Sequence, residues 1–242
     1  CQSFTFIGSC NPVIYEKGEL IFVDSEKDTW NMCPKSLTLA LEDCKKRGIR
    51  PKAIIVVHLY GMPAKIDEII EIANRYRVPV IEDAAEALGS NIKGKPCGSF
   101  GRLSILSFNG NKIITTSGGG AILSNSKEDI AKANFLSTQA KENKPFYQHK
   151  KLGYNYKLSN ILSSIGVEQL KVLDGRVKKR RDNYIFYYNL LNKVEGVTFL
   201  TEPIGYFSNR WLTCILINEK KCGISVDKII SELKDEKIET RR

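Results

Sequence analysis

The sequence predicts an α/β fold: a mostly parallel sheet covered by helices, followed by part of a smaller α+β unit. Three observations lead there. Short β-branched runs alternate with amphipathic stretches over the first two-thirds of the chain. The run Ala53 to Val57 (AIIVV) is continuously apolar, as in a strand buried on both faces. Helix punctuation is clear, with Pro34 opening one pattern and Gly48 closing it. Strands alternating with helices imply right-handed crossovers and hence a largely parallel, helix-covered sheet.

In order, Leu20 to Val23 (LIFV) reads as a strand ending at Asp24, and Pro34 to Gly48 as a helix. The strand Ala53–Val57 follows, then a turn at Gly61-Met62-Pro63 and a helix from Ile66 to Tyr76. Val78 to Ile81 is the next strand, running into Glu82-Asp83. Residues 89–101 are glycine-rich; strands at Leu103–Phe108 and Ala121–Leu123 come after them. Ser126 to Asp129 resembles a capping box and opens a further helix. Residues 138–158 lack periodicity and read as a long loop, a length usually kept for function. From Ser159 to Leu191 an apolar stripe of Leu170, Leu173, Val177, Tyr184, Tyr188 and Leu191 predicts one long helix. Strands at Val197–Leu200 and Leu212–Ile217 and a helix at Val226–Leu233 complete the chain. The expected divisions are 1–158 for the large unit, 159–193 for a connecting helix and 194–242 for the partial small unit.

Composition narrows the function. Of 242 residues, 42% are hydrophobic and 26% charged, a soluble globular profile with no apolar run long enough to span a bilayer. Seven scattered cysteines without a C-x-x-C pair argue against a disulfide framework or zinc site and for the reducing cytoplasm. Two histidines exclude a histidine-rich metal centre. The net charge of +10 suits nucleic acid, an anionic membrane or phosphorylated small molecules. The densest basic run, Arg176 to Arg181, is interrupted by Val177 at helical spacing and reads as a solvated helix face. No initiator Met begins the chain, strand-like sequence opens it, and Lys234 to Arg242 ends without tapering, so both ends are expected to be cut.

Two residues carry candidate chemistry at strand ends. Asp83 follows the strand at Val78–Ile81, at the sheet edge where open parallel sheets bind ligands. Ser107-Phe108-Asn109-Gly110-Asn111-Lys112 follows the next strand and gathers a hydroxyl, a glycine and a lysine. Lys112 alone reads equally as one more surface lysine. Thr115-Thr116-Ser117-Gly118-Gly119-Gly120 fits either a phosphate cradle or a tight structural turn. Together, Asp83 and Lys112 suit pyridoxal phosphate, which needs a lysine for its Schiff base and an acid for its pyridinium nitrogen.

The motifs Ile81 to Ser90 (IEDAAEALGS), Ser107 to Lys112 (SFNGNK) and Leu152 to Ser159 (LGYNYKLS) resemble the DegT/DnrJ/StrS family of sugar-nucleotide aminotransferases. Ser3 to Phe6 and Val57 to Gly61 match too, so the resemblance runs through the chain. It implies the type I fold of pyridoxal-phosphate enzymes, with Lys112 bearing the cofactor and Asp83 on its ring nitrogen. Phe6 would stack on the ring, Ser107 would bind the cofactor phosphate, and Asn155 would reach the partner's phosphate in a homodimer. His58 reads as packing or support behind the site rather than catalytic, and His58 and His149 are the weak candidates for contacting substrate. Glu86 stands where many members carry a glutamine that contacts the cofactor hydroxyl. That form resembles the subgroup acting on UDP-linked 4-keto-6-deoxy-N-acetylhexosamines, with glutamate as amino donor, for surface-glycan or amino-sugar biosynthesis. The family's N-terminal substrate-binding segment would precede Cys1. A sugar dehydratase of the same fold would carry histidine in place of Lys112. Rivals from other classes are a truncated, non-catalytic copy that binds a sugar nucleotide or a partner subunit, and a nucleic-acid binder resting on charge alone.

Overall fold

The computed structural model describes all 242 residues. A short helix α1 (Asn11–Tyr15) and the longer α2 (Pro34–Lys46) precede β1 (Ile54–Val57), α3 (Ile66–Tyr76) and β2 (Val80–Asp83). A hairpin of β3 (Asn91–Ile92) and β4 (Lys95–Pro96) leads to β5 (Leu103–Ser107), β6 (Gly120–Leu123) and α4 (Lys127–Ser137). After a long loop come α5 (Asn160–Lys171), α6 (Leu173–Leu191), β7 (Val197–Phe199), β8 (Tyr206–Phe207), β9 (Ile215–Ile217), α7 (Glu219–Cys222) and α8 (Val226–Asp235).

The principal sheet has the order β1-β2-β5-β6. The β1–β2 and β2–β5 pairs are parallel; β6 runs antiparallel to β5. Parallel neighbours need a long crossover, which α3 provides between β1 and β2. No helix lies between Ser107 and Gly120, so the chain simply turns back, and that turn contains Lys112. The main core lies between the sheet and two helices. Leu37 and Leu41 of α2 and Ile66, Ile69 and Ile72 of α3 pack on Ile54, Val56 and Val80. Each helix meets this core with residues three or four apart, the spacing that places side chains on one face.

Three expectations need correction. Leu20–Val23 forms no strand: Val23 makes one parallel bridge to Gln2, and Ile21 and Phe22 point to solvent. Its backbone contacts are Ser3 N–H on Val23 O and Val23 N–H on Cys1 O, both 2.9 Å, and the Cys1 amino group on Ile21 O at 3.0 Å. The strand expected at Val78 begins at Val80, because Pro79 has no N–H to give, although its carbonyl accepts from Ile54. Asp83 is the last residue of the strand, at the C-terminal end expected for it. The helix expected over 159–191 breaks at Val172 (φ −104°, ψ 5°) into α5 and α6, and of the stripe only Val177 is buried. The glycine-rich turns at 89–101 also hold one edge of a small sheet, β4-β3-β8, in which Asn91 pairs with Phe207. That pairing ties the last third of the chain to the first. No helix is long and apolar enough to cross a membrane.

Candidate active site

The C-terminal ends of β1, β2 and β5 bring His58, Asp83 and Ser107 to one edge of the sheet, and the β5–β6 turn adds Lys112. Beneath that edge lies a buried anchor. Glu82 is fully buried and accepts from His58 Nε2 (3.0 Å), the N–H groups of Gly98, Phe100 and Gly101 (2.8, 2.6 and 2.6 Å) and Ser104 Oγ (2.9 Å). Burial alone would push this carboxyl up, but His58 and the Gly101 and Gly98 N–H groups outweigh it and hold it at about 2. His58 accepts from Ala64 N–H at Nδ1 (2.9 Å), so Nε2 carries the proton that it donates to Glu82. Both ring nitrogens are used and the ring is fully buried, which gives His58 a packing role behind the site.

Above the anchor, Asp83 is fixed as an acceptor. Ser9 Oγ donates to its Oδ2 (2.6 Å) and the Ala85 N–H to its Oδ1 (3.1 Å). Ser9 closes a single 3₁₀ turn that begins beside Phe6, whose ring is 71% exposed. Lys112 Nζ lies 3.4 Å from Glu86 Oε1, with the two side chains only 12% and 9% exposed. Glu86 Oε2 accepts the Tyr60 N–H (2.7 Å). Burial is the main influence on Glu86 and raises its carboxyl; nearby Asp83 adds to this, and Tyr60 N–H and Lys112 only partly offset it. Tyr60 is held in the left-handed region (φ 57°, ψ 18°), a strained conformation that aims its N–H at this carboxylate.

A segment from the last third of the chain completes the cluster. Asn209 Nδ2 donates to the Glu86 and Leu88 carbonyls (both 2.9 Å), and the Asn209 N–H donates to Ser90 Oγ (2.9 Å). Gly61 makes room for it: a Cβ there would lie 1.9 Å from Asn209 Oδ1, and its φ of +86° already favours glycine. The Trp211 indole N–H donates to Asn111 O (2.8 Å), and Lys112 Nζ stands 4.3 Å from the Trp211 ring centre. Ser9, Tyr60, Asn209 and Trp211 were not among the residues singled out from sequence. The polar–aromatic run Ser208-Asn209-Arg210-Trp211 is the only local signal for the last two, and it has no periodicity.

Other expected residues make local bonds of their own. The Thr115–Gly120 segment is a tight turn, since Thr115 Oγ1 donates to Phe108 O, Thr116 Oγ1 to Gly118 O, and Thr115 Oγ1 accepts from Ser117 N–H. Ser107 is half-buried, and its Oγ accepts the Asn109 N–H (3.3 Å). Asn155 is exposed on the 138–158 loop, where it bridges Thr138 between the stacked rings of Tyr154 and Tyr156. His149 is also exposed on that loop and bonds through Nδ1 to Gln139 O (2.9 Å).

A largely buried lysine side chain whose amine meets the Glu86 carboxylate, with an anchored aspartate at the same sheet edge, fits both demands of pyridoxal phosphate. The model of the DegT/DnrJ/EryC1/StrS aminotransferase family matches residues 1–242. The chain belongs to this family. Pyridoxal phosphate is the family's cofactor, and the donor set at Asp83, Glu86 and Lys112 fits it. Among its relatives, the chain is 53% identical over 241 residues to the "Putative pyridoxal phosphate-dependent aminotransferase EpsN" of Bacillus subtilis strain 168, covering all of this chain and 61% of that one. It is 34% identical over 239 residues to a GDP-perosamine synthase of Escherichia coli O157:H7, covering 99% and 63%. A crystal structure of a DegT DnrJ EryC1 StrS aminotransferase from Brucella abortus superposes with a TM-score of 0.88 at 29% identity, covering 98% and 61%. The chain thus spans about three-fifths of the length of these relatives.

Proposed function

We propose that this chain carries the catalytic lysine unit of a pyridoxal-phosphate-dependent aminotransferase that places an amino group on a nucleotide-linked keto-sugar. The observation that carries the reading is the Lys112–Glu86 pair at the same strand edge as the anchored Asp83. When bound, the cofactor supplies the electron sink that lets an amino group pass from an amino acid to a ketone. Asp83, already fixed as an acceptor, would hold a proton on the ring nitrogen. Lys112 Nζ would take the proton from the donor's α-carbon and, in the second half-reaction, deliver one to the sugar carbon that receives nitrogen. Glu86 would hold that amine whenever it is free and, on the resemblance, meet the cofactor's hydroxyl once the cofactor is bound. Ser107 is assigned to the cofactor phosphate, Phe6 to the ring face, and Asn155 to the phosphate held by a second copy of this chain. Glutamate is the proposed amino donor, and the cytoplasm, in keeping with seven free cysteines, the proposed compartment.

Glu86 favours a UDP-linked 4-keto-6-deoxy-N-acetylhexosamine as acceptor, on the subgroup resemblance of its motif; the similarity to a GDP-perosamine synthase makes a GDP-linked keto-sugar the comparison to run beside it. The first test is spectroscopic. With added pyridoxal phosphate the chain should show a visible band that survives dialysis, and borohydride should fix the label on Lys112. Lys112→Ala should lose both, with transamination reduced on the order of a thousandfold or more. A folded wild-type chain without band or label would overturn the assignment.

A further inference from the structure

We propose that Trp211 is the positioning residue of Lys112: its ring face holds the ammonium, and its indole N–H fixes the carbonyl of the preceding residue. Two contacts converge here. The ammonium stands 4.3 Å from the ring centre, within the range where the negative face of an indole attracts a cation. The N–H, at the ring's edge, donates to Asn111 O at 2.8 Å. One side chain therefore constrains both the backbone just before Lys112 and the far end of its side chain, leaving the four-carbon stem little freedom.

Trp211 is itself held. It is 5% exposed and packs with Ile113 and Val177, and its backbone N–H donates to Asn209 Oδ1 (2.8 Å). Asn209 in turn grips the Glu86 and Leu88 carbonyls. The ammonium thus has both the ring and the Glu86 carboxylate as neighbours. Glu86 from the β2 end is the titratable group in contact with it, and Glu86 in turn interacts with Asp83, with Tyr60 from the β1 end and with Cys214 ahead of β9. Burial, its largest influence, and then Glu86 push Cys214 up to about 12. None of these groups is itself replaced in a Trp211 variant, and the backbone N–H that holds Asn209 is kept, so the substitution removes the ring and its indole N–H alone.

The inference rests on the functional reading only for the purpose of the lysine; its test needs no cofactor. The chain alone is pulsed with acetic anhydride across a pH series, and acetylation of Lys112 is read by peptide mass spectrometry. A ring face that stabilises the ammonium predicts that Trp211→Leu moves the labelling midpoint down by roughly half a pH unit or more, about threefold or more in the ionisation equilibrium. Trp211→Phe, which keeps a face and loses the N–H, should fall between. A merely structural tryptophan would loosen the pocket, raising the plateau rate and leaving the midpoint in place, and that result would overturn the proposal. Should Trp211→Leu fail to fold, tryptophan emission of the wild type decides. It should titrate with the wild-type Lys112 midpoint and lose that transition in Lys112→Met; an unchanged transition in Lys112→Met overturns the proposal. A shifted labelling midpoint with no pyridoxal phosphate band would leave the Trp211 assignment standing and remove the aminotransferase reading, so the two are separable.

Discussion

Lys112 and Glu86 face each other where water is scarce, and for the Glu86 carboxyl burial outweighs the attraction of the lysine. Glu86 binds its proton more tightly in the folded chain than in the unfolded one. Its contribution therefore favours folding below its unfolded value and is lost as pH rises through its folded value. Glu86→Gln should melt at a higher temperature than wild type at pH 7.5, with the gain shrinking towards pH 4. A lower melting temperature at pH 7.5 would mean that attraction to Lys112 outweighs desolvation. Glu82 behaves in the opposite sense. Its carboxyl is held at about 2 against an ordinary 4.5, so the stability that it supplies is complete above the unfolded value and is lost as pH falls from there towards 2. Glu82→Ala would strand His58 Nε2, Ser104 Oγ and three backbone N–H groups, costing about 3–5 kcal/mol in urea unfolding. Asp83 and Lys112 were legible in the sequence because each sits within six residues of a strand end in a recognisable motif. Ser9 and Trp211 were not, since each acts on a residue more than 70 positions away and no local pattern encodes such a meeting.

Elements were legible in proportion to how much of their environment is local. The helix over Ile66–Tyr76 carries its own periodicity and its own acidic first turn, and it forms where the sequence places it. Ser126 caps α4 by accepting the Asp129 N–H (3.1 Å), as its motif announces. The short pairs β3, β4 and β8 have two residues each, too few for any alternation to register, and their existence depends on Phe207 returning to Asn91. The break at Val172 has no proline or glycine at the residue itself, and an apolar stripe runs unbroken across it. At this scale Gly61 is the critical joint between the β1 end and the returning segment. Gly61→Ala would both occupy the space of Asn209 Oδ1 and strain a positive φ, so a loss of roughly 2–4 kcal/mol is expected in thermal or urea unfolding. The same variant should weaken retention of pyridoxal phosphate, because Asn209 would release the Glu86 carbonyl; retention at the wild-type level would show that the two are uncoupled.

Over the whole molecule, surface area is the telling quantity. The chain exposes 15777 Å² for 27.3 kDa, whereas a compact monomer of that mass exposes roughly 11,000 Å². Part of the excess is apolar: Leu152, Tyr156 and Ile161 lie exposed around Asn155 and the start of α5. The proposed homodimer predicts a concentration-dependent dimer in sedimentation. It also predicts that mixing Lys112→Ala with Asn155→Ala restores about one site in four, because one site of each mixed dimer receives both intact residues. Restoration of none would place Asn155 at its own chain's site or at no site. The return of Asn209 to Glu86 has a further consequence, in time rather than in space. The two residues lie 123 positions apart, so this contact carries one of the largest loop-closure costs in the chain. The β1–β2–β5 ladder can form from residues 54–107 alone, whereas the Lys112 pocket needs Trp211 to have arrived. During synthesis the sheet precedes the pocket by about a hundred residues of chain, or several seconds at ordinary elongation rates. The amine is thus the last part of the site to become fixed, and an unfinished chain has a sheet but nothing yet that holds a cofactor in place.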